Sequence, residues 1–194
     1  MGGGDKCLHA LGGQPMLAHV IARLKPQVSR MVISANGDLS RFAGFGLPAV
    51  PDSVAGFQGP LAGMEAGLDW VAAQCPGVTW ALTVPGDTPF IPLDLVQRLA
   101  DAAEREGRAA VAASGDGVHP VVGLWPIAVL GDLKVALAGG LRKVSRWAEM
   151  QDAAQVVFPQ AGIGGARVDP FFNINRPEDL AAAEALLKEA PSAS

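Results

Sequence analysis

The sequence predicts an α/β fold with a mostly parallel central sheet, and three observations support this prediction. Short apolar runs rich in Val and Ile alternate with longer segments of helical period along the 194 residues, as in strands joined by helices. Hydrophobic residues make up 49% of the chain, enough to bury one substantial core. No repeat or long linker is evident, so residues 1–189 are predicted as a single domain and 190–194 as a disordered tail.

The first half of the chain begins with a predicted helix. Leu17, Val20, Ile21 and Leu24 have helical spacing, and Pro26 ends the helix. The predicted elements that follow are a buried strand at 30–36, a short strand at 46–53, a helix at 60–74 that starts at a proline, and a strand at 78–87. The last strand is a continuous apolar run, typical of burial on both faces, and it leads into an acidic loop.

The second half continues the alternation. Its predicted elements are a helix at 93–106, strands at 108–114 and 119–125, helices near 127–138 and 143–151, strands at "AQVVFP" and "FFNIN", and a helix from 177 to about 189. Ligands of open parallel sheets bind beyond the carboxyl ends of the strands. Polar side chains follow four predicted strands, at Ser34 with Asn36, Asp52, Asp87, and Asn173 with Asn175. This coincidence predicts a ligand site at that edge.

Composition and charge exclude several classes of protein. The net charge of -4 offers no basic stripe for a nucleic acid, so any bound phosphate is expected on a small molecule. Cys7 and Cys75 form no CxxC pair, which argues against zinc and favours reduced thiols in a cytoplasmic protein. No signal-peptide pattern or apolar run near 18 residues occurs, so no membrane association is expected.

The opening "GGGDK" places Lys6 after a glycine cluster. It matches neither the P-loop GxxxxGK[ST] nor the dinucleotide motif GxGxxG. Flexible backbone before a lysine can still form an anion nest, with the ammonium against a triphosphate. Taken alone, a flexible chain start is the better interpretation.

The stretch "TVPGDTPF", residues 83–90, is the most informative one. Asp87 follows a buried strand, where a carboxylate can bind Mg²⁺ together with phosphate oxygens. Gly86 allows close approach of the backbone, and the flanking prolines stiffen the turn. A turn-capping role for Asp87 is about equally plausible from this stretch alone, and pairing with Lys6 and Asp52 favours the metal.

Two further segments have competing interpretations. Asp52 can reach a ribose or a magnesium-bound water, although an Asx turn is favoured when it is taken alone. In "GPLAGM", residues 59–64, glycines at a helix start would let the backbone of Pro60, Leu61 and Gly63 contact a nucleobase; helix packing is the simpler alternative.

Outside these segments, His119 is a conceivable general base, but a structural role is favoured. Arg142, Lys143 and Arg146 form a basic cluster that would suit a second anionic substrate, although a solvated helix face is the commoner explanation.

The segment "FFNINRPEDL", residues 171–180, is predicted as a strand that carries Asn173 and Asn175 on one face. Amides there can order phosphate oxygens or magnesium waters; alternatively Asn175 shapes the turn into the next helix. Arg176 stands at the predicted cap and cannot cap, so about 1 kcal/mol of helix stabilisation is expected to be absent.

Together, these pieces resemble the molybdenum cofactor guanylyltransferases, also called molybdopterin-guanine dinucleotide synthases. "MGGGDKCLHALGGQPML" matches their opening signature LAGGxSxRMGGxDKxLxxLxGxPLL from the Met onward, and "VISAN", "GPLAGM", "VPGDTPFIP", "HPVVGLW" and "FFNINRPEDL" follow in the family's order. The resemblance implies a three-layer Rossmann-like nucleotidyltransferase domain. The family's first strand and LAGGxSxR segment would lie before Met1, so a sheet lacking that strand is expected.

The implied reaction is Mg²⁺-dependent transfer of GMP from GTP to the terminal phosphate of molybdopterin, with release of pyrophosphate. The resemblance implies that Asp87 holds the metal and that Lys6 neutralises the triphosphate. Asp52 and the backbone of 60–63 hold ribose and guanine, with Ser34 and Asn36 nearby, and Asn173 and Asn175 lie near the acceptor phosphate.

The expected partners are GTP and molybdopterin, with transient contacts to cofactor-biosynthesis proteins or molybdoenzyme chaperones. Two alternatives remain open at this point. One is another NTP-dependent nucleotidyltransferase of the same fold, for example one that uses a sugar phosphate. The other is a non-catalytic nucleotide-binding module without the LAGGxSxR segment. A dinucleotide-binding oxidoreductase is disfavoured because GxGxxG is absent.

Overall fold

The computed structural model describes residues 5–52, 59–163 and 165–189. The α-helices in these residues are α1 (Met16–Leu24), α2 (Pro60–Gln74), α3 (Leu95–Glu106), α4 (Leu130–Ala138), α5 (Val144–Met150) and α6 (Pro177–Glu189). Both α2 and α6 begin at the proline that predicts their start. Proline suits this position because the backbone N–H that it lacks would have no partner within the helix. The predicted disordered tail lies outside the described residues.

The strands of the same residues are short apart from one. They are β1 (Ala10–Leu11), β2 (Gln14–Pro15), β3 (Ile33–Ser34), β4 (Ala49–Val50), β5 (Trp80–Thr83), β6 (Ala110–Ser114), β7 (Gly117–Pro126), β8 (Ala154–Val157), β9 (Ala161–Ile163) and β10 (Ala166–Val168). Short 3-10 turns occur at Lys6–Leu8, Leu39–Phe45 and Ile127–Val129.

The main described sheet has the strand order β5-β7-β6-β8. Strand β7 is antiparallel to both of its neighbours, whereas β6 and β8 are parallel. A separate pair, β3 and β4, is also parallel. The α/β class is confirmed, but the sheet is mixed and not mostly parallel, because β6 and β7 form a tight hairpin that places β7 between β5 and β6.

Helices cover both faces of this sheet. On one face α1 and α3 bury Val20 and Leu99 against the sheet residue Ala112. On the other face α2, α4 and α5 enclose Trp125 and Trp147, both fully buried. The three predicted layers are therefore present. No helix in the described part of the chain is long and apolar enough to span a bilayer.

A gap separates β3 from β5. Ile33 and Ala35 donate their N–H groups to the carbonyl oxygens of Pro48 and Val50, so the backbone groups of Ser34 point away from β4. Cavities of about 540 and 560 Å³ lie on the two sides of the gap and share Ser34, Leu82 and Val84 in their walls. No strand of the described residues fills the gap. It also explains why β5, predicted to be buried on both faces, has only Ala81 buried.

Residues 171–175 form an irregular loop, so the strand predicted there is wrong. The carboxylate of Asp169 accepts the N–H of Phe171 at 2.8 Å, and its carbonyl oxygen accepts the N–H of Phe172 at 3.0 Å. These two local bonds turn the chain and leave no extended ladder. The loop instead packs through Ile174 against Leu11 and Ala183, which ties it to α6.

Candidate active site

Asp87 lies in the loop that leaves the carboxyl end of β5. Its carboxyl is half-buried, and burial raises its pKa above the ordinary value; a hydrogen bond with its own backbone and the positive charge of Lys6 oppose that rise. The preceding Gly86 packs so closely that a Cβ there would lie 3.0 Å from Cβ of Cys7. The glycine therefore brings the acidic loop against the start of the chain.

Lys6 reaches the same place from a short 3-10 turn. Its Nζ donates to Oδ1 of Asn175 at 2.9 Å, and its charge acts on Asp87. The neighbouring Asp5 pairs with Arg41, which anchors the turn to the segment after β3. Lys6, Asp87 and Asn175 therefore lie together, whereas Asp52, which the sequence paired with Lys6 and Asp87, bonds to Ser34 and Asn36 in a separate group. Residues 2–4 of the glycine cluster lie outside the described residues.

Cys7 does not supply a nucleophile to this group. Burial raises the pKa of its thiol to about 11, and the carboxylates of Asp5 and Asp87 add to the rise. A thiol with that pKa is protonated at neutral pH, and the thiolate is the reactive form. The residue serves as an apolar contact under Gly86.

A second polar group forms where β3 and β4 end side by side. Asp52 accepts hydrogen bonds from Oγ of Ser34 at 2.9 Å and from Nδ2 of Asn36 at 2.6 Å, one on each carboxylate oxygen. A Cβ on Gly63 would lie only 3.2 Å from Asp52 Oδ1. The three predicted residues are brought together, with Asp52 holding the other two in place against α2.

The 560 Å³ cavity lies beside the second polar group and extends to Gly86, the residue before Asp87. Its walls include Ser34, Asn36, Asp52, Gly59, Pro60, Gly63 and Gly86. Leu61 does not line this cavity, and its side chain is fully buried in the core, which leaves only its backbone for a ligand. Residues 53–58, which precede this helix, lie outside the described residues.

The loop at 171–175 completes the site from the other end of the chain. Ile174 donates its N–H to the carbonyl oxygen of Asp87 at 3.2 Å, which fixes the loop to the acidic turn. Asn173 and Asn175 are both exposed, although they do not share a strand face. The N–H groups of Asn175 and Arg176 both bond to Asp179 Oδ2, at 2.9 and 2.8 Å. Asp179, in the first turn of α6, therefore ties the backbone of the two residues that precede the helix to its start.

The donor set fits a hard cation that shares its coordination with a substrate. Among the described residues no group of three or more His, Cys, Asp or Glu side chains could hold a metal by itself. Mg²⁺ typically uses one or two protein carboxylates and completes its shell with water and phosphate oxygens. A single half-buried Asp87 beside a lysine and an amide has the composition of such a shared site.

The basic cluster is mostly used within the protein. Arg142 donates to the carbonyl oxygens of Leu137 and Leu141 at 2.8 and 2.7 Å, and Arg146 pairs with Glu149 at 2.8 Å. These contacts close the end of α4 and stabilise α5. They support the structural interpretation of Arg142 and Arg146 over a substrate contact.

Two residues at the same edge have no counterpart among the predicted site residues. Ser114 ends β6, and its Oγ lies 2.7 Å from Nε2 of His119 on β7. Asp169 is only 8% exposed and faces the same imidazole. A lone Asp before a proline gives no signal beyond a turn, so only the folded chain reveals this cluster.

Comparison with known proteins identifies the family of this chain. The family model of the MobA-like NTP transferase domain matches residues 1–155. The chain belongs to this family. The predicted family and the nucleotidyltransferase fold are thereby confirmed.

Curated relatives of this MobA-like protein are similar over nearly its whole length. The molybdenum cofactor guanylyltransferase of Rhodopseudomonas palustris (strain BisB5) is 50% identical over 186 residues, which cover 95% of this chain and 86% of that protein. The protein of the same name from Bradyrhizobium sp. (strain ORS 278) is 50% identical over 188 residues, or 96% and 86% of the two chains.

Solved structures show the same fold at lower identity. Molybdopterin-guanine dinucleotide biosynthesis protein A from Archaeoglobus fulgidus has a TM-score of 0.69 at 21% identity and covers 96% of this chain and 92% of its own. A 2-C-methyl-D-erythritol 4-phosphate cytidylyltransferase from Thermus thermophilus gives 0.64 at 22% identity, with 96% and 95% covered. Rv0371C of Mycobacterium tuberculosis H37Rv, solved in complex with manganese, gives 0.67 at 16%, with 93% and 92% covered.

Proposed function

We propose that this protein transfers GMP from GTP to the terminal phosphate of molybdopterin and releases pyrophosphate. The observation that carries the proposal is the contact between Lys6 and Asn175 beside Asp87, in a chain that is 50% identical to molybdenum cofactor guanylyltransferases. A cation, a carboxylate and an amide at one point are what a reacting triphosphate requires.

The residues have distinct roles in this reaction. An oxygen of the acceptor phosphate attacks the α-phosphorus of GTP, and the bond from that phosphorus to pyrophosphate breaks. The acceptor is already an anion and needs no general base, so the protein acts by alignment and by neutralising charge. Lys6 neutralises the triphosphate, while Asn173 and Asn175 orient the acceptor phosphate.

Asp87 would hold the metal, for which we propose Mg²⁺. When bound, the metal stabilises the charge that develops on the leaving pyrophosphate. The manganese in the complex of Rv0371C supports a divalent cation in this fold. The raised pKa of Asp87 fits this role, because a carboxylate taken partly out of water gains from a cation that replaces its hydration.

The nucleoside is assigned to the second polar group. Pro60 and Gly63 border the cavity. Their backbone and that of Leu61 would meet guanine, while Asp52 would meet the ribose. Because Ser34 and Asn36 already occupy both oxygens of Asp52, that contact uses the remaining lone pairs of a fixed carboxylate.

The proposal also covers the cellular location, the partners and the domain organisation of the protein. A cytoplasmic location is supported by two free cysteines, Cys7 and Cys75, since thiols persist in a reducing compartment. Transient contact with cofactor-biosynthesis proteins or molybdoenzyme chaperones would deliver molybdopterin and remove the dinucleotide. Residues 1–189 would act as one domain.

The test is a transfer assay with purified protein, Mg²⁺ and molybdopterin, supplied with GTP or CTP in parallel. The proposal expects pyrophosphate and a guanine dinucleotide with GTP, and no product with CTP. Transfer to a sugar phosphate in place of molybdopterin would instead identify another nucleotidyltransferase. GTP binding with no transfer to either acceptor would identify a non-catalytic nucleotide-binding module.

A further inference from the structure

Asp169 is a buried carboxylate with an incomplete set of partners. Its Oδ1 accepts the N–H of Phe171 at 2.8 Å. Its Oδ2 is buried and has no hydrogen-bond partner among the described residues. A buried carboxylate oxygen without a hydrogen-bond donor is energetically unfavourable, so the presence of Asp169 at this position needs an explanation.

His119 is the side chain that faces Asp169. Its Nε2 lies 3.9 Å from Asp169 Oδ1 and 2.7 Å from Oγ of Ser114. Its ring packs on Phe171 with centroids 4.8 Å apart. Imidazole, carboxylate and phenyl ring thus join β7 to the beginning of the 171–175 loop.

The same geometry excludes a nucleophilic triad. In such a triad the serine and the carboxylate use opposite nitrogens of the imidazole, so that a proton can pass across the ring. Here Ser114 and Asp169 both approach Nε2. The cluster therefore does not activate Ser114.

The loop that His119 contacts leads directly into the candidate active site. Phe171 is followed after two residues by Ile174, whose N–H bonds to the carbonyl oxygen of Asp87, and then by Asn175, which accepts from Lys6. A displacement at Asp169 would move both asparagines relative to the acidic turn, because Ile174 follows Asp169 by only five positions.

We propose that His119 and Asp169 act as a pair of positioning residues that hold the 171–175 loop in register with Asp87. Through this loop the pair sets the position of Asn173 and Asn175 toward the acceptor phosphate. The acceptor part of this inference rests on the proposed function, whereas the effect on the loop does not. Neither residue touches a reacting atom in this proposal.

Hydrogen exchange tests the effect on the loop without any reaction. Deuterium uptake is measured by mass spectrometry for peptides that cover 169–176, in the full chain and in His119→Ala and Asp169→Asn. The proposal expects faster uptake in that segment for both variants, with uptake in α2 and α4 unchanged. Unchanged uptake in 169–176 would overturn it, whether or not the protein transfers GMP.

Kinetics then test the effect on the acceptor. Each variant is expected to raise the KM for molybdopterin about tenfold, as the loss of one polar contact would, with the KM for GTP changed less than about twofold. Since the two residues act as a unit, the KM of the double variant for molybdopterin should be no higher than that of the more impaired single variant. Multiplicative effects, or fast loop exchange with an unchanged acceptor KM, would overturn the positioning role.

Two controls accompany these variants. His9→Ala removes an imidazole outside the cluster and should leave loop exchange and acceptor KM as in the wild type. His119→Asn retains a polar side chain for Ser114, and it should fold if the alanine variant does not; loop exchange equal to the wild type in His119→Asn would argue against a requirement for the imidazole. Absence of GMP transfer by the wild type would remove the proposed function and leave the exchange result to decide the pair.

Discussion

Lys6 and Asn175, which are 169 positions apart in the chain, are joined by a hydrogen bond of 2.9 Å between ammonium and amide oxygen. The bond closes the site between the first turn of the described chain and the loop before its last helix. Asp87 lies beside the bond, so the ammonium group of Lys6 interacts with both the amide of Asn175 and the carboxylate of Asp87.

Replacing Asp87 by Asn should reduce GMP transfer by about 100-fold or more, because the amide cannot supply a negative ligand for a divalent cation. Titration calorimetry should show that GTP binding no longer strengthens when Mg²⁺ is added. Asp101→Asn on the exposed face of α3 is the matched control and should retain full activity. A fully active Asp87→Asn protein would contradict the metal assignment.

The same substitution should change how stability depends on pH. Because burial raises the pKa of Asp87 in the fold, ionisation of this group opposes folding. Asp87→Asn should therefore unfold at a higher temperature than the wild type at neutral pH. The difference should shrink as the pH falls through the raised pKa and vanish below the ordinary value, near about pH 4. Melting curves from pH 3 to 8 measure it, and a constant offset across this range would contradict the argument.

Lys6→Ala should weaken GTP binding by about tenfold, since a charge-assisted contact to the triphosphate is lost. GMP, which lacks the terminal phosphates, should lose less affinity. Calorimetric titration of both nucleotides separates the two effects. Lys25→Ala, at an exposed position after α1, is the control and should bind GTP as the wild type does. Equal losses of affinity for GTP and GMP in Lys6→Ala would contradict a contact between Lys6 and the terminal phosphates.

Gly63→Ala and Gly67→Ala form a matched pair within α2. Alanine in a helix interior is more stable than glycine by about 0.5–1 kcal/mol, and a Cβ at Gly67 meets nothing within 4 Å. Gly67→Ala should thus raise the free energy of unfolding by that amount. At Gly63 the Cβ would press on Asp52 and Ser34, at 3.2 and 3.3 Å, so the gain should be lost and nucleotide binding weakened. Denaturant unfolding and GTP titration provide the readouts, and equal stabilisation by both variants would contradict the crowding.

Asp179→Ala should lower the free energy of unfolding by about 1 kcal/mol, because the N–H groups of Asn175 and Arg176, just before α6, lose their acceptor. The neighbouring Glu178 is exposed and makes no such bond, so Glu178→Ala should cost distinctly less. Urea unfolding of the two variants checks the difference. Equal losses would attribute the effect to charge near the helix end and not to the cap.

The sequence predicts most of the site but less of its geometry. Helical period and proline placement locate α2 and α6, and strand ends locate Ser34, Asp52 and Asp87, because these signals are local. The antiparallel position of β7 between β5 and β6 depends on pairing between distant strands, which local patterns do not encode. The irregular course of 171–175 follows from the two turns at Asp169, and that residue carries no sequence signal beyond a bend.

The gap between β3 and β5 has a mechanical consequence. Asp52 stands on one side of it and Asp87 on the other, and no backbone ladder of the described residues joins the two sides. Each side can therefore open as its own cooperative unit, with β3 and β4 held mainly by their helix contacts. A nucleotide that touches both aspartates would act as a cross-link between the two units, so substrate binding would tie the sheet together as well as fill the site.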